Sequence, residues 1–365
     1  MTTTELGLPA LRSGSAAPRD PARPDDPRLV DRFGRVATDL RISLTDRCNL
    51  RCTYCMPAEG LPWMPRAEQL TDAELVRLIT IAVRDLGVHE LRFTGGEPLL
   101  RRGLEDVIAA SAALTPRPDI SLTTNGVGLA RRAATLAAAG VNRLNVSLDT
   151  LRPDRFAEIT RRDRLGDVLD GMAAAREAGL SPVKINTVLL RGVNDDEAPA
   201  LLGWALREGY QMRFIEQMPL DAQHGWDRSA MVTADEILDR LRTAYALAPL
   251  PDPDRGSAPA ETWAVLDGPD RAGWAEQKPR VGVVGSVTRP FCGDCDRVRL
   301  TADGQLRNCL FATTESDLRT AMRAGADDEE LARRFVASIA GKKAGHGIDD
   351  PNFRQPERPM SAIGG

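Results

Sequence analysis

The chain has few cysteines, the residues that cross-link small secreted domains, and it lacks long apolar runs. Its 365 residues include six cysteines and three histidines, and aromatic residues make up only 4%. No window approaches the ~18 uninterrupted apolar residues of a membrane span. No basic segment followed by an apolar stretch opens the sequence, so we expect no export. The net charge of −4 gives no general basis for binding nucleic acid or an anionic membrane. An anionic ligand would therefore need a local cluster of basic side chains.

All six cysteines fall into two groups of three, and no histidine lies inside either group. The first group, C-x3-C-x2-C, consists of Cys48, Cys52 and Cys55, and the second, C-x2-C-x13-C, of Cys292, Cys295 and Cys309. Three thiolates can hold three corners of a [4Fe–4S] cluster and leave one iron open to a small molecule. The sequence therefore predicts two such clusters, which is typical of a catalyst.

Two other interpretations of the cysteines stay open. Three disulfides would suit a short secreted chain better than one of this length. Zinc is the stronger alternative because C-x2-C pairs often bind it, although structural zinc takes four ligands and neither group supplies a fourth. Thiolate clusters without an export segment favour a reducing cytoplasm as the location.

Alternating strand-like and helical segments predict the fold class. Strand-like stretches cover residues 40–44, 90–94, 119–123, 141–148, 183–190 and 210–216. Helical spacing covers residues 71–86, 103–114, 128–139, 165–178, 195–208 and 233–243, and a capping box opens the first of these helices. Six strand-then-helix units predict an α/β fold with a parallel sheet, either an incomplete barrel or a doubly wound layer.

Composition divides the chain into three regions. Residues 1–30 are rich in Pro, Ala, Arg and Asp without periodicity, and we expect a disordered tail there. Residues 31–245 form the barrel-like region. A C-terminal region, residues 246–365, contains a Pro- and Asp-rich linker or loop at 251–259 and two helices near 315–323 and 328–340.

Polar residues follow several strands, at the edge where barrel-like enzymes build their sites. Gly95-Gly96-Glu97-Pro98 is either a tight turn or a place where a ligand approaches the backbone, with Glu97 offering its carboxylate to an ammonium group. Similar groups end later strands, at Thr123-Thr124-Asn125-Gly126, Asn145-Val146-Ser147-Leu148-Asp149 and Lys184-Ile185-Asn186. Each alone suits a satisfied cap, but together they predict one polar cavity.

Arginines lie within the apolar strand runs, where an unpaired charge is costly. Arg41, Arg92 and Arg213 are of this kind, and Arg297 and Arg299 share one face of a strand. A solvated basic surface is the ordinary alternative. Because guanidinium groups bind phosphate bidentately, we favour an anion pocket.

The motifs resemble a known superfamily and, more specifically, one family within it. The first cysteine motif, with Tyr54 before its last cysteine, and the Gly95-Gly96-Glu97-Pro98 turn resemble the radical S-adenosylmethionine (SAM) superfamily. The second cysteine group, Arg297-Val298-Arg299 and the terminal Gly364-Gly365 resemble the GTP 3′,8-cyclase family, lyases of molybdenum cofactor biosynthesis. The likeness runs from about Phe33 to the end. It implies an incomplete (β/α)6 TIM-type barrel whose C-terminal region carries a second cluster.

The resemblance also implies residue roles. The first cluster would bind SAM, with contacts from Tyr54, Gly96, Ser147 and Met218. The open iron of the second cluster would meet the guanine base. The GTP contacts would be Arg41, Arg92, Thr123, Lys184, Arg213, Arg297, Val298 and Arg299. The final Gly364 and Gly365 would form a tail inserted in the active site.

The implied chemistry rests on the cofactors, with no catalytic side chain beyond them. Cleavage of SAM gives a 5′-deoxyadenosyl radical, which takes hydrogen from C3′ of GTP, and the C3′ radical adds to C8. The resemblance further implies an external electron donor, a homodimer and a downstream cyclic pyranopterin monophosphate synthase. The family usually has a basic residue where this chain has Glu90, which predicts either weaker GTP binding or a side chain that faces elsewhere.

Two other functions stay open. One is a radical SAM peptide modifier, which commonly carries more cysteines in its auxiliary region than the six of this whole chain. The other is a non-catalytic electron carrier or metal-binding module, which needs neither the Gly-Gly-Glu-Pro turn nor buried cations.

Overall fold

Six parallel strands in the first two thirds of the chain confirm the predicted strand-then-helix units. The computed structural model describes residues 28–251, 256–275 and 278–364, so nearly all of the predicted tail and part of the loop at 251–259 lie outside the described residues. The six strands are β1 (Asp39–Ser43), β2 (Glu90–Thr94), β3 (Asp119–Thr124), β4 (Arg143–Ser147), β5 (Val183–Val188) and β6 (Gln211–Ile215).

Helices pack outside this sheet. They are α1 (Asp72–Arg84), α2 (Leu104–Ala112), α3 (Ala133–Ala139), α4 (Pro153–Thr160), α5 (Leu165–Glu177), α6 (Ala198–Glu208) and α7 (Ala234–Arg242). The predicted capping box is confirmed, because Thr71 Oγ1 accepts from Glu74 N at 3.2 Å and Glu74 Oε2 from Thr71 N at 2.8 Å. The helix α4 was not predicted from the sequence, because its short apolar face buries only Phe156 and Ile159 among its hydrophobic residues.

The C-terminal region adds strands and short helices. These are β7 (Ala246–Pro249), β8 (Glu261–Asp267), β9 (Arg280–Val284), β10 (Arg297–Leu300), β11 (Gln305–Arg307), β12 (Ser316–Asp317), α8 (Arg319–Arg323), α9 (Asp328–Ala340) and α10 (Met360–Ile363). The helix predicted at 315–323 is too long, because its first residues pair in β12 with β11. The helix predicted at 328–340 is confirmed.

Strands of the C-terminal region flank both sides of the six-stranded sheet. The order is β12-β11-β10-β1-β2-β3-β4-β5-β6-β9-β8-β7, with β10 parallel to β1 and β9 parallel to β6. The architecture is therefore the predicted incomplete TIM-type barrel. Of these added strands, the sequence predicted only β10, from the alternation of Arg297 and Arg299, because the other short, mixed segments show no clear alternation.

The hydrophobic core lies between the sheet and its helices. Its largest fully buried side chains include Phe93 on β2, Phe214 on β6 and Phe335 on α9. In the described part of the chain, no helix combines the length and apolar character needed to cross a membrane.

Candidate active site

A cavity of about 330 Å³ lies at the carboxyl ends of the parallel strands, and all six cysteines line it. The loop after β1 carries the first group, and the segments that precede β10 and follow β11 carry the second. The structure thus brings two cysteine groups from opposite ends of the chain to one chamber. None of the six thiols is paired in a disulfide. Among the described residues, no three His, Cys, Asp or Glu side chains form a group that could hold a single metal ion.

The first cysteine group sits in a tight, buried loop. Cys55 N donates to Cys52 O at 2.9 Å, and Asn125 Nδ2 lies 3.7 Å from Cys48 Sγ. Burial and the neighbouring Cys48 thiol raise the pKa of Cys55 to about 12. Burial, Asp149 and the other two cysteines raise the pKa of Cys52 well above its usual value. Three thiolates at this place need a cationic centre, so this donor set fits three corners of an iron–sulfur cluster.

Basic side chains contact the second cysteine group. Burial raises the pKa of the Cys292 thiol to about 11, and Arg35 donates to the Cys292 carbonyl at 2.5 Å. Cys295 behaves differently. Burial opposes its ionisation, but the Lys342 ammonium and the Arg297 guanidinium outweigh it and lower the pKa of this thiol. With Cys309 this group also supplies three thiolates, which fits a cluster with one open iron.

The Gly-Gly-Glu-Pro turn after β2 packs against the first cysteine loop. Gly96 N donates to Thr45 O and Glu97 N to Arg47 O, both at 2.7 Å. A Cβ at Gly95 would lie 2.6 Å from Thr45 O, and one at Gly96 would lie 2.3 Å from Arg47 O. Both glycines line the cavity, but their lack of a side chain is required by the neighbouring backbone. The reason proposed from the sequence, close approach of a ligand, is therefore incomplete.

Glu97 does not offer its carboxylate to a ligand, contrary to the sequence-based suggestion. The side chain is fully buried and accepts from Thr124 Oγ1 at 2.7 Å, Asn125 N at 2.7 Å and Leu99 N at 3.0 Å. Burial raises its pKa to about 7 in spite of these donors. Glu97 therefore ties the end of β2 to the end of β3.

The residues predicted to contact SAM lie together beside the first cysteine group. Tyr54, Gly96, Ser147 and Met218 all line the cavity. The Tyr54 hydroxyl donates to Asp149 Oδ2 at 2.8 Å, and Asp149 Oδ1 accepts from Val188 N at 2.9 Å. This chain of contacts fixes the Tyr54 ring against the ends of β4 and β5.

Five arginines also line the cavity: Arg41, Arg92, Arg213, Arg297 and Arg299. Three of them surround the buried carboxylate of Asp39, whose Oδ2 lies 3.4 Å from Arg41 Nε and 3.8 Å from both Arg92 Nη2 and Arg297 Nε. Despite burial, these arginines lower the pKa of Asp39 to about 2. One carboxylate cannot balance five guanidinium groups, so the pocket favours a polyanion.

The crowding of positive charge is visible in the pKa values. Burial and mutual repulsion lower the pKa of Arg41 and Arg299 to about 9. Arg92 Nε and Arg297 Nε are buried without a hydrogen-bond partner among the described residues. Buried donors are normally satisfied, and these two belong to side chains that line the cavity, which fits an anionic ligand there.

The other predicted GTP contacts lie at different depths. Thr123 lines the cavity, as does Asn186, which shares a strand face with Lys184. Lys184 therefore lies on the same face as Asn186 but farther from the strand end. Burial, and to a smaller extent the charge of Arg213, lowers the pKa of Lys184 to about 7. Val298 differs: it is fully buried in the core, facing away from Arg297 and Arg299. Any contact it makes with a ligand would use its backbone.

Glu90 lies at the amino-terminal end of β2, on the strand face that it shares with Arg92, but it does not line the cavity. It pairs with Arg143 at 2.8 Å, an arginine that also contacts Asp119 at 2.6 Å. These three residues belong to the amino-terminal ends of their strands, opposite the cysteines. Glu90 points to the same side of the sheet as Arg92, so the alternative in which it faces elsewhere is not supported, and weaker GTP binding stays a prediction.

The C-terminal tail enters the cavity wall. Ile363 is fully buried, and Arg299 donates to the Gly364 carbonyl. Gly364 has φ 87°, and a Cβ there would lie 2.6 Å from Thr94 Cγ2. Both conditions require glycine at this position. Gly365 lies outside the described residues.

Several residues in or behind the cavity wall were not predicted from the sequence. Asp39 carried no signal beyond its place in a strand, and Lys342 stands in an ordinary basic Lys342-Lys343 pair. Phe291, whose ring lies 4.9 Å from the Arg297 guanidinium carbon, and His346 also line the site. The aromatic residue just before Cys292 was the one available clue.

Two family patterns match the chain. That of the Radical SAM superfamily matches residues 42–205, and that described as Molybdenum Cofactor Synthesis C matches residues 210–348. The first cysteine group falls within the first pattern, and the second group within the other. The division corresponds to the two sources of the cavity wall.

Curated relatives match the chain over almost their full length. The GTP 3′,8-cyclase of Streptomyces coelicolor is 64% identical over 337 residues, which cover 92% of this chain and 96% of the relative. That of Mycobacterium marinum is 58% identical over 368 residues and covers 100% of both. Among solved structures, Streptococcus suis SuiB bound to S-adenosylmethionine gives a TM-score of 0.55 at 13% identity, over 79% of this chain and 66% of SuiB. That likeness shows the fold alone.

Proposed function

The chain belongs to the GTP 3′,8-cyclase family of radical SAM enzymes, and from this premise we propose how its residues divide the work. Its reaction cyclises GTP to (8S)-3′,8-cyclo-7,8-dihydroguanosine 5′-triphosphate, the first step of molybdenum cofactor biosynthesis. The observation that carries the assignment is the convergence of both cysteine groups on one cavity with a polyanion pocket.

The first cysteine group holds the cluster to which SAM binds, and Tyr54, Gly96, Ser147 and Met218 contact SAM. When bound, this cluster supplies the electron that cleaves SAM and so starts the radical chemistry on GTP. The role of the chain is positional. Tyr54 is fixed by Asp149, and the Gly96 backbone is fixed by Thr45, so both present rigid surfaces to the cofactor.

The second cysteine group and the arginines hold GTP at its two ends. Cys292, Cys295 and Cys309 would hold the second cluster, whose open iron would be available to the guanine base. Arg41, Arg92, Thr123, Lys184, Arg213, Arg297, Val298 and Arg299 hold the triphosphate side. Fixing both ends brings C3′ within the ~3–3.5 Å that hydrogen transfer requires.

The tail completes the enclosure. Gly364 lies against the ends of β1 and β2, and Arg299 fixes the Gly364 carbonyl. A tail without side chains closes the chamber while leaving space for the ribose. Enclosure protects reactive intermediates from water.

The regions and the setting are part of the same proposal. Residues 31–245 form the radical SAM barrel and residues 246–365 the region that binds the second cluster and substrate, with residues 1–30 as a tail. Six free thiols favour the reducing cytoplasm. An external reductant supplies electrons, the working form is a homodimer, and a cyclic pyranopterin monophosphate synthase consumes the product.

One assay separates this function from the alternatives. The full chain is reconstituted without oxygen and supplied with SAM, dithionite and each of the four ribonucleoside triphosphates, and 5′-deoxyadenosine is measured. We expect the formation of 5′-deoxyadenosine to depend selectively on GTP. Equal formation of 5′-deoxyadenosine with all four nucleotides, or no formation with any of them, would indicate a peptide modifier or an electron carrier.

A second experiment tests the anion pocket. Arg297→Ala and Arg299→Ala should weaken GTP binding and retain both clusters, because neither side chain is a metal ligand. Arg333→Ala, on the exposed side of α9, is the matched control and should bind GTP normally. Loss of iron from the two pocket variants would show that these arginines are structural instead.

A further inference from the structure

Lys342 is a buried cation that the division of roles above leaves without a task. It follows α9 and is 3% exposed. Its ammonium lies 2.9 Å from Cys295 O, 2.9 Å from Arg297 O and 3.5 Å from Cys295 Sγ. An ammonium has three donors, so all of them are directed at the segment that carries Cys295.

Two positive groups therefore meet at one sulfur. Arg297 Nη1 lies 3.9 Å from Cys295 Sγ, on top of the contact from Lys342. In the first group, the corresponding contact to Cys48 Sγ is a neutral amide, Asn125 Nδ2, at 3.7 Å. The two cysteine groups thus differ in the charge of the donors that face their thiolates.

Donors and charge at ligand sulfurs set the reduction potential of an iron–sulfur cluster. Reduction by one electron makes a cluster more negative. A cation beside a ligating thiolate stabilises that reduced state and raises the potential. A neutral amide does so less.

We propose that Lys342 raises the reduction potential of the second cluster by donating to the Cys295 thiolate. The inference rests on the proposed ligand set, Cys292, Cys295 and Cys309. Lys342 acts through Cys295 and is therefore a positioning residue rather than a catalytic one. Its two bonds to carbonyl oxygens give it a structural role as well, and the potential is the property that separates the two roles.

The test compares variants of the full chain, purified without oxygen and carrying their clusters. Lys342→Met removes charge and donor, Lys342→Gln keeps a donor without charge, and Lys342→Arg keeps both. Lys343→Met is the matched control, since the next side chain is exposed. Each protein is titrated with dithionite, and the one-electron reduction of each cluster is followed by electron paramagnetic resonance. The signal of the second cluster is the one lost in the triple variant Cys292→Ser/Cys295→Ser/Cys309→Ser.

We expect Lys342→Met to lower the reduction equilibrium constant of the second cluster about tenfold, which is about 59 mV for one electron. Lys342→Gln should lower this constant in the same way, and Lys342→Arg should leave it near the wild-type value. The reduction potential of the first cluster should not change in any of these variants. An unchanged second potential in the Met and Gln variants would overturn the inference. So would loss of the second cluster from both, because Lys342 would then be structural. A wild-type protein without a second cluster would instead refute the proposed function.

Discussion

The pH dependence of GTP binding should report the charge of Lys184. This side chain lies on β5, where burial and the positive charges of Arg213, Arg143 and Arg92 lower its pKa to about 7. In the free protein it is therefore mostly neutral above that pH. A triphosphate bound among the arginines neutralises their repulsion, so Lys184 should regain its proton when GTP binds.

The size of the effect follows from the two pKa values. Full recovery from about 7 to the ordinary 10.5 corresponds to at most about 5 kcal/mol, at about 1.36 kcal/mol per pKa unit. Because the bound state holds the proton more tightly, affinity falls as pH rises between the two values. At about pH 8 binding should take up about 0.9 proton, and affinity should fall about eightfold between about pH 7.5 and 8.5.

Calorimetry of GTP binding in two buffers of different ionisation enthalpy measures this uptake. Working above about pH 7.5 avoids most of the titration of a terminal phosphate, whose pKa is near 6. Lys184→Met should remove most of the uptake, leaving the small part due to Arg41 and Arg299, and Lys343→Met should retain it all. Uptake in Lys184→Met as large as in the wild type, or affinity that does not vary with pH, would refute the reasoning.

Three other substitutions test the site. Gly364→Ala should lower 5′-deoxyadenosine formation at least about tenfold without loss of iron. The control is Gly325→Ala, where φ is also positive but no atom lies within 4 Å of the added Cβ, so it meets only the left-handed strain of ~1–2 kcal/mol. Equal activity of the two variants would contradict this prediction. Glu97→Gln places an amide against donors and should reduce the free energy of unfolding by about 1–3 kcal/mol in urea titrations, so an unchanged midpoint would count against it. Tyr54→Phe should weaken SAM binding roughly fivefold, about 1 kcal/mol, with GTP affinity unchanged in calorimetry; equal loss of both affinities would point to general damage.

Periodicity was sufficient to predict the barrel strands. β2 ends where alternation and the following glycines predicted, and the polar strand ends do meet in one cavity because parallel strands share an edge. Apart from β10, the short strands of the C-terminal region were not predicted. Their assignment depends on pairing with distant partners, such as β9 with β6, and that information is not local.

The site was predictable where a motif carries its own chemistry. Cysteine spacing identified both groups, and buried arginines identified the pocket. Asp39 and Lys342 could not be found in this way. Asp39 matters because Arg41, Arg92 and Arg297 surround it, and Lys342 because α9 ends beside Cys295. Neither arrangement is visible before the chain is folded.

The iron content of protein purified without oxygen tests the central claim most directly. Two clusters facing one cavity predict about eight irons per chain. The triple variants Cys48→Ser/Cys52→Ser/Cys55→Ser and Cys292→Ser/Cys295→Ser/Cys309→Ser should each retain about four. About four irons in the wild type, or loss of all iron from either triple variant, would contradict two independent clusters.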